Sequence, residues 1–324
     1  MVGADGSLPL PWLEAPLRQA LQTGRAHALM VHGAAGVGQF ETALVLAQTW
    51  LCEAPARAEA RGDWACGRCA ACRLVQAHSH PDLLVLLPEA LRASLGWGDA
   101  DDGDAPAGEK SGKAKPSKDI KIDALRAAVL FAQSTSARGR AKVVVVHPAD
   151  RMNAFAANSL LKTLEEPPGV ARFVLTSGNP QALLPTVRSR CQAVRIDLPD
   201  TALASAWLER AGVARPEVLL AASGGQPLLA LEWSQQGLDA ALWSRLPELV
   251  TRGEAAPFAA WPLPRLVDAL QKLCHDVLCA SLKAPPRYFA AAGCRRTRAS
   301  TASPPGPRNC ARARAAPSTR GMPG

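Results

Sequence analysis

The 324 residues contain no uninterrupted apolar run approaching the roughly 18 needed to cross a bilayer, which excludes a transmembrane helix. Residues 1–21 lack a basic segment followed by an apolar one and instead carry Asp5, Glu14 and three prolines, so a secretory signal is not expected there. Aromatic side chains make up 5% of the chain, too few for an extended base-stacking platform. Net charge is also scarce where it matters. The formal total is +9, but residues 285–324 hold eight Arg and no Lys, Asp or Glu, leaving 29 basic against 28 acidic residues over 1–284. A nearly neutral body argues against a broad electrostatic grip on nucleic acid.

Residues 285–324 also lack Leu, Ile and Val and contain seven prolines, so they cannot bury enough surface to offset their ordering entropy. They read either as a basic disordered tail or, preferably, as GC-rich coding sequence translated in the wrong frame. Leu282-Lys283-Ala284-Pro285-Pro286-Arg287-Tyr288-Phe289 still has an ordinary protein pattern, which stops just beyond. A second low-complexity stretch, 99–118, is acidic and then Gly/Lys/Pro/Ser-rich, and reads as a solvated insertion. With 48% apolar residues, the remainder has ample material for real cores.

Between these stretches, apolar runs alternate with helical patterns. Runs at 29–32, 83–87, 143–146 and 173–175 suit buried strands; 41–51, 122–133 and 154–164 have helical spacing. That alternation implies α/β architecture with a parallel sheet covered on both faces. Beyond Pro199 only helical patterns remain, at 203–211, 216–223, 228–235 and 263–282.

Gly33-Ala34-Ala35-Gly36-Val37-Gly38-Gln39-Phe40 has the spacing of a phosphate-binding loop and sits between a strand and a helix, as such loops do. Its decisive positions are occupied by the wrong chemistry. Gln39 stands where a Lys would reach the β/γ-phosphates, and Phe40 where a hydroxyl would hold Mg²⁺. The 143–146 run ends in His147-Pro148 rather than in carboxylates, and Asp150 lies too far along to substitute. No functional ATP/Mg²⁺ site and no ATPase activity of its own are expected.

Cys52, Cys66, Cys69 and Cys72 form C-x13-C-x2-C-x2-C, four of nine cysteines in 21 residues. Two C-x2-C steps let a loop wrap one tetrahedral Zn²⁺, and four protein ligands leave no open position, so the expected zinc is structural. His78 and His80 are then surface or packing residues. Cys274 and Cys279, on a helical pattern, are expected in a core.

These motifs occur together with Asn158-Ser159-Leu160-Leu161-Lys162-Thr163-Leu164-Glu165-Glu166-Pro167-Pro168 and Ser189-Arg190-Cys191. In that order they resemble bacterial clamp-loader subunits of the AAA+ class, which serve DNA polymerase III. The degenerate loop and missing carboxylates resemble the non-hydrolysing, stator-type members rather than the gamma/tau-type motors. Thr176-Ser177-Gly178-Asn179 and Gly224-Gly225-Gln226-Pro227 likewise lack the motors' sensor residues. The resemblance implies an AAA+ RecA-like domain over 1–198 with a zinc module at 52–72, an all-α lid over 199–238 and an all-α collar over 239–324, truncated or frame-shifted after about 289. It implies a cytoplasmic replisome protein that assembles with delta and gamma/tau subunits. The assembled complex opens the sliding clamp and places it on primed DNA. Arg190 is then an arginine finger offered in trans to a neighbour's ATP, an element worth on the order of 10³-fold in rate. Two other readings are an ATP-hydrolysing gamma/tau-type motor and a zinc-containing DNA-binding adaptor.

Overall fold

A computed structural model describes residues 1–22, 26–54, 63–98 and 116–290. The chain divides into two compact units, Met1–Gln235 and Gln236–Gly324.

The first unit is built on five parallel strands: β1 (Ala28–Gly33), β2 (Leu83–Leu86), β3 (Lys142–Val146), β4 (Ala171–Ser177) and β5 (Gln192–Ile196). They lie side by side in the order β2-β3-β4-β1-β5. Around them run α1 (Glu14–Gln22), α2 (Gln39–Leu51), α3 (Ala70–Gln76), α4 (Glu89–Arg92), α5 (Ile122–Gln133), α6 (Ala154–Glu165) and α7 (Pro185–Arg188). The four valines of β3 show why the sheet is covered twice. Val143 and Val145 join the core formed with α1 and α2, while Val144 and Val146 join the one formed with α5 and α6. A β-branched run fits a strand buried on both faces. Three further helices, α8 (Thr201–Arg210), α9 (Pro216–Ala222) and α10 (Pro227–Gln235), complete this unit.

Local chemistry sets the boundaries. Asn153 caps α6 by accepting the Ala156 N–H at 2.8 Å, and Pro167-Pro168 follow its end. The fully buried Asp82 carboxylate ties the approach to β3 to the start of β2. It accepts from Ala137 N–H at 2.8 Å, Arg138 N–H at 2.9 Å and Ser136 Oγ at 3.0 Å, and pairs with Lys142 at 3.1 Å. Burial alone would raise its pKa, but these donors hold it below the usual carboxylate value.

The described part of the second unit contains α11 (Ala240–Arg252) and α12 (Leu263–Ser281). Buried Asp276 of α12 accepts the backbone N–H groups of Arg287, Tyr288 and Phe289 at 2.9, 2.7 and 2.8 Å. Phe289 stacks on Trp243 with ring centroids 4.9 Å apart. The stretch to Phe289 thus packs as the sequence pattern suggested, whereas 291–324 and most of 99–118 lie outside the described residues. Cys274 is a correction: it is exposed, on the side of α12 that also presents Leu263, Val267, Leu270 and Leu278. The helical period was right, but the buried face is that of Ala269, Leu273 and Asp276. Among the described residues, no helix is long and apolar enough to cross a membrane.

Candidate functional site

Helix α2 carries a candidate site at each end. At its N-terminus, β1 runs into the loop 33–38. Gly36 and Gly38 have φ of 72° and 106°, left-handed values that side-chain-bearing residues rarely adopt. The loop shape is therefore that of a phosphate cradle, but its carbonyls are taken up internally. Gln39 turns back so that Nε2 donates to Gly33 O at 2.8 Å and Ala34 O at 2.7 Å. The Trp12 indole donates to Val37 O at 2.8 Å, and the Leu228 N–H of α10 donates to Gly36 O at 3.1 Å.

The neighbouring strand ends close the corner. Phe40 stacks on His147, ring centroids 4.5 Å apart, and His147 Nδ1 lies 2.7 Å from Thr176 Oγ1 at the end of β4. Burial pushes the His147 pKa down to about 4, so the ring is neutral at pH 7. Asp150 accepts from Ser177 Oγ at 2.9 Å. The sequence flagged Gln39, Phe40 and His147 as misfits; it did not show that Gln39 turns back onto the carbonyls before it or that Phe40 stacks on His147.

At the C-terminus of α2, Cys52 caps the helix, and Cys66, Cys69 and Cys72 lie at the start of α3. The four Sγ atoms lie within 4.8 Å of one another, with Cys52–Cys66 at 3.6 Å and Cys52–Cys69 and Cys66–Cys72 at 3.9 Å. A tetrahedral ion with Zn–S bonds of about 2.3 Å requires Sγ–Sγ edges near 3.8 Å. The thiols therefore fit one four-coordinate ion. Burial raises Cys69, but N–H donors led by Cys72 outweigh it and bring the thiol down to about 6. Burial, and then the Cys69 neighbour, raise Cys72. A cation is what would let all four ionise. Arg140 donates through Nε at 3.0 Å, and through Nη2, to the Cys52 carbonyl, fixing the helix end from outside the thiol set. His78 stacks on Trp97 at 3.9 Å and buried His80 accepts the Asp82 N–H at 3.0 Å, so neither joins the cysteines.

Away from α2, Arg190 lies in the turn between α7 and β5. Its Nη1 donates to Thr186 O at 2.8 Å and Ser189 Oγ at 3.3 Å, and Nη2 pairs with Glu165 at the end of α6. The two motifs singled out in the sequence, 25 residues apart, thus meet in one ion pair. Arg188 is engaged separately, donating to Gln181 Oε1 at 2.5 Å. Cys191, between Arg190 and β5, is a partly buried thiol whose pKa desolvation pushes up to about 12.

The family described as DNA polymerase III, delta subunit, matches residues 12–200. The DNA polymerase III subunit delta' of Pseudomonas aeruginosa is 37% identical over 271 residues, covering 80% of this chain and 74% of that protein. The Escherichia coli subunit delta' is 31% identical, covering 81% and 76%. The Escherichia coli subunit tau is 30% identical but covers only 54% of this chain and 22% of its own length.

Proposed function

The chain belongs to the DNA polymerase III delta' family of clamp-loader subunits, and on that premise we propose that it is the loader's non-hydrolysing, AAA+ stator-type member. In this reading it joins delta and gamma/tau subunits in the cytoplasmic replisome, and the assembly opens the sliding clamp and places it on primed DNA. The observation that carries the non-hydrolysing part is the corner at β1. Gln39 supplies no charge and spends its amide on Gly33 and Ala34, while Phe40 fills the metal corner against His147. A phosphoryl-transfer site needs a cation on the γ-phosphate and an oxygen-ligated Mg²⁺; neither has a donor here.

Arg190 is the group this chain offers to chemistry elsewhere. A guanidinium in a short turn, 29% exposed, supports a role as a finger reaching ATP held by the adjacent motor subunit. Ser189 shapes the turn through its hydroxyl on Thr186 O at 3.1 Å. Cys52, Cys66, Cys69 and Cys72 hold one structural zinc, which locks the end of α2 to α3. Helices 201–235 form the lid, and the second unit the start of the collar.

The test is hydrolysis by a loader reconstituted with cognate delta and gamma/tau subunits, in the presence of clamp and primed DNA. Arg190→Ala should measurably lower the turnover, because the adjacent motor loses its finger. An unchanged rate removes the finger reading. Saturable hydrolysis by the isolated chain would favour the motor-type reading instead.

A further inference from the structure

We infer that Glu165 is the resting partner of Arg190, holding the guanidinium against the end of α6 until assembly presents a phosphate in its place. This rests on the reading of Arg190 as a finger in trans. Glu165 is a positioning residue in this scheme: it touches the arginine, not the nucleotide.

Three features point to it. First, the guanidinium is held in a defined orientation rather than waving free. Nη2 is on the Glu165 carboxylate and Nη1 on the Thr186 carbonyl, so two sides of the planar fork are committed to the chain itself. Its Nε–H is buried without an acceptor among the described residues, so the resting arrangement leaves the arginine incompletely satisfied. Second, Glu165 is the last residue of α6, where the helix dipole disfavours a carboxylate unless a cation sits beside it. The sequence follows with a second acid, Glu166, and then Pro167-Pro168, which prevent the helix from carrying the carboxylate away from the Arg190 turn. Third, the pair is exchangeable. Its side chains are 29% and 50% exposed, and an ion pair at that exposure is weak. A terminal phosphate carries more charge than one carboxylate and accepts the guanidinium fork bidentately, so it can displace Glu165 once a neighbour brings it within reach.

The consequence is a restraint on premature hydrolysis. As long as Arg190 rests on Glu165, the adjacent motor lacks its finger; clamp and primed DNA favour the arrangement in which the exchange has occurred. A purely supportive role for Glu165 at the helix end makes a different prediction, because losing it would then lower stability and every rate together.

The experiment uses the full chain in the reconstituted loader and compares wild type, Glu165→Gln, Arg190→Ala and the double variant, each with and without clamp and primed DNA. Glutamine keeps an acceptor oxygen and removes the charge. We expect Glu165→Gln to raise the unstimulated rate by at least about twofold and to lower the ratio of stimulated to unstimulated hydrolysis. The effect should vanish when Arg190 is already alanine, because nothing remains to release. An unstimulated rate that stays level or falls in Glu165→Gln, while Arg190→Ala still lowers the stimulated rate, overturns this inference alone. Arg190→Ala without effect overturns the finger reading and this inference with it.

Discussion

The two ends of α2 carry loops with opposite relations between shape and chemistry. At the N-terminus, Gly36 and Gly38 give the loop two left-handed turns of the kind a phosphate cradle uses, while Gln39 bonds the carbonyls of Gly33 and Ala34 and Phe40 stacks on His147. At the C-terminus Cys52 follows the helix end, and its thiol converges with those of Cys66, Cys69 and Cys72 to 3.6–3.9 Å in three of their pairs. The difference shows what each feature depends on. A glycine loop is held by φ angles and backbone hydrogen bonds, so its shape does not depend on a cation. Four thiols converging this closely, two of them buried, fit around one.

The largest effect should therefore come from the C-terminal end. Purified chain should contain one zinc, and its removal by a chelator, or Cys72→Ser, should cost on the order of 5 kcal/mol and lower Tm by 10 °C or more. Cys72 is fully buried in the core shared with α2, so the loss propagates to β1 and β3 through that helix. Thermal melts paired with metal analysis check this. Metal-free protein with an unchanged melt would mean that the thiols pack without an ion, and the comparison between the ends of α2 would lose its basis.

How much of this was readable in the sequence differs by region for physical reasons. The helix at 122–133 matched its pattern because one face is buried at helical spacing, and the β3 valines matched theirs because the strand is buried on both faces. β5 escaped notice because Gln192, Ala193 and Arg195 leave an edge strand little apolar signal beyond Val194 and Ile196. α11 escaped because Pro247 lies inside it, a residue that normally breaks a helix; here it is buried among Trp243, Leu246 and Leu249. The four cysteines were legible from spacing alone. Side chains acting on their own surroundings were not: nothing in one dimension places Gln39 on the carbonyls before it, or Glu165 on Arg190.

A smaller effect sharpens the N-terminal side. His147 is buried neutral, with a pKa of about 4 against 6.5 for an ordinary histidine. A lowered folded-state pKa means that the unfolded chain takes up the proton first. The associated stability is complete above about pH 6.5, falls as pH drops, and is lost by about pH 4. This should amount to about 3 kcal/mol between those limits. Urea unfolding at pH 7, 5.5 and 4.5 measures it, and His147→Gln should flatten that part of the profile. A wild-type profile already flat across this range would mean that the ring under Phe40 is solvated, and that the corner is more open than the stacking distance indicates.

The smallest expected effect is the most pointed, because it is an absence. Replacing Gln39-Phe40 by Lys-Thr supplies the two side chains a phosphate-binding loop uses, and should free the Gly33 and Ala34 carbonyls. It should still give no measurable turnover by the isolated chain. A lysine can hold phosphate, and a threonine can contribute one oxygen to Mg²⁺. Hydrolysis also needs a carboxylate at the end of the neighbouring strand to hold the ion and orient water, and β3 ends there in His147-Pro148. Asp150 cannot move in without giving up Ser177. Equilibrium binding of a fluorescent ATP analogue together with a phosphate-release assay separates the two functions: weak binding without release is the expected result. Release would show that a cradle with the right backbone needs only two side chains to regain catalysis. The distinction between shape and chemistry at the N-terminus of α2 would then be far thinner than the one at its C-terminus.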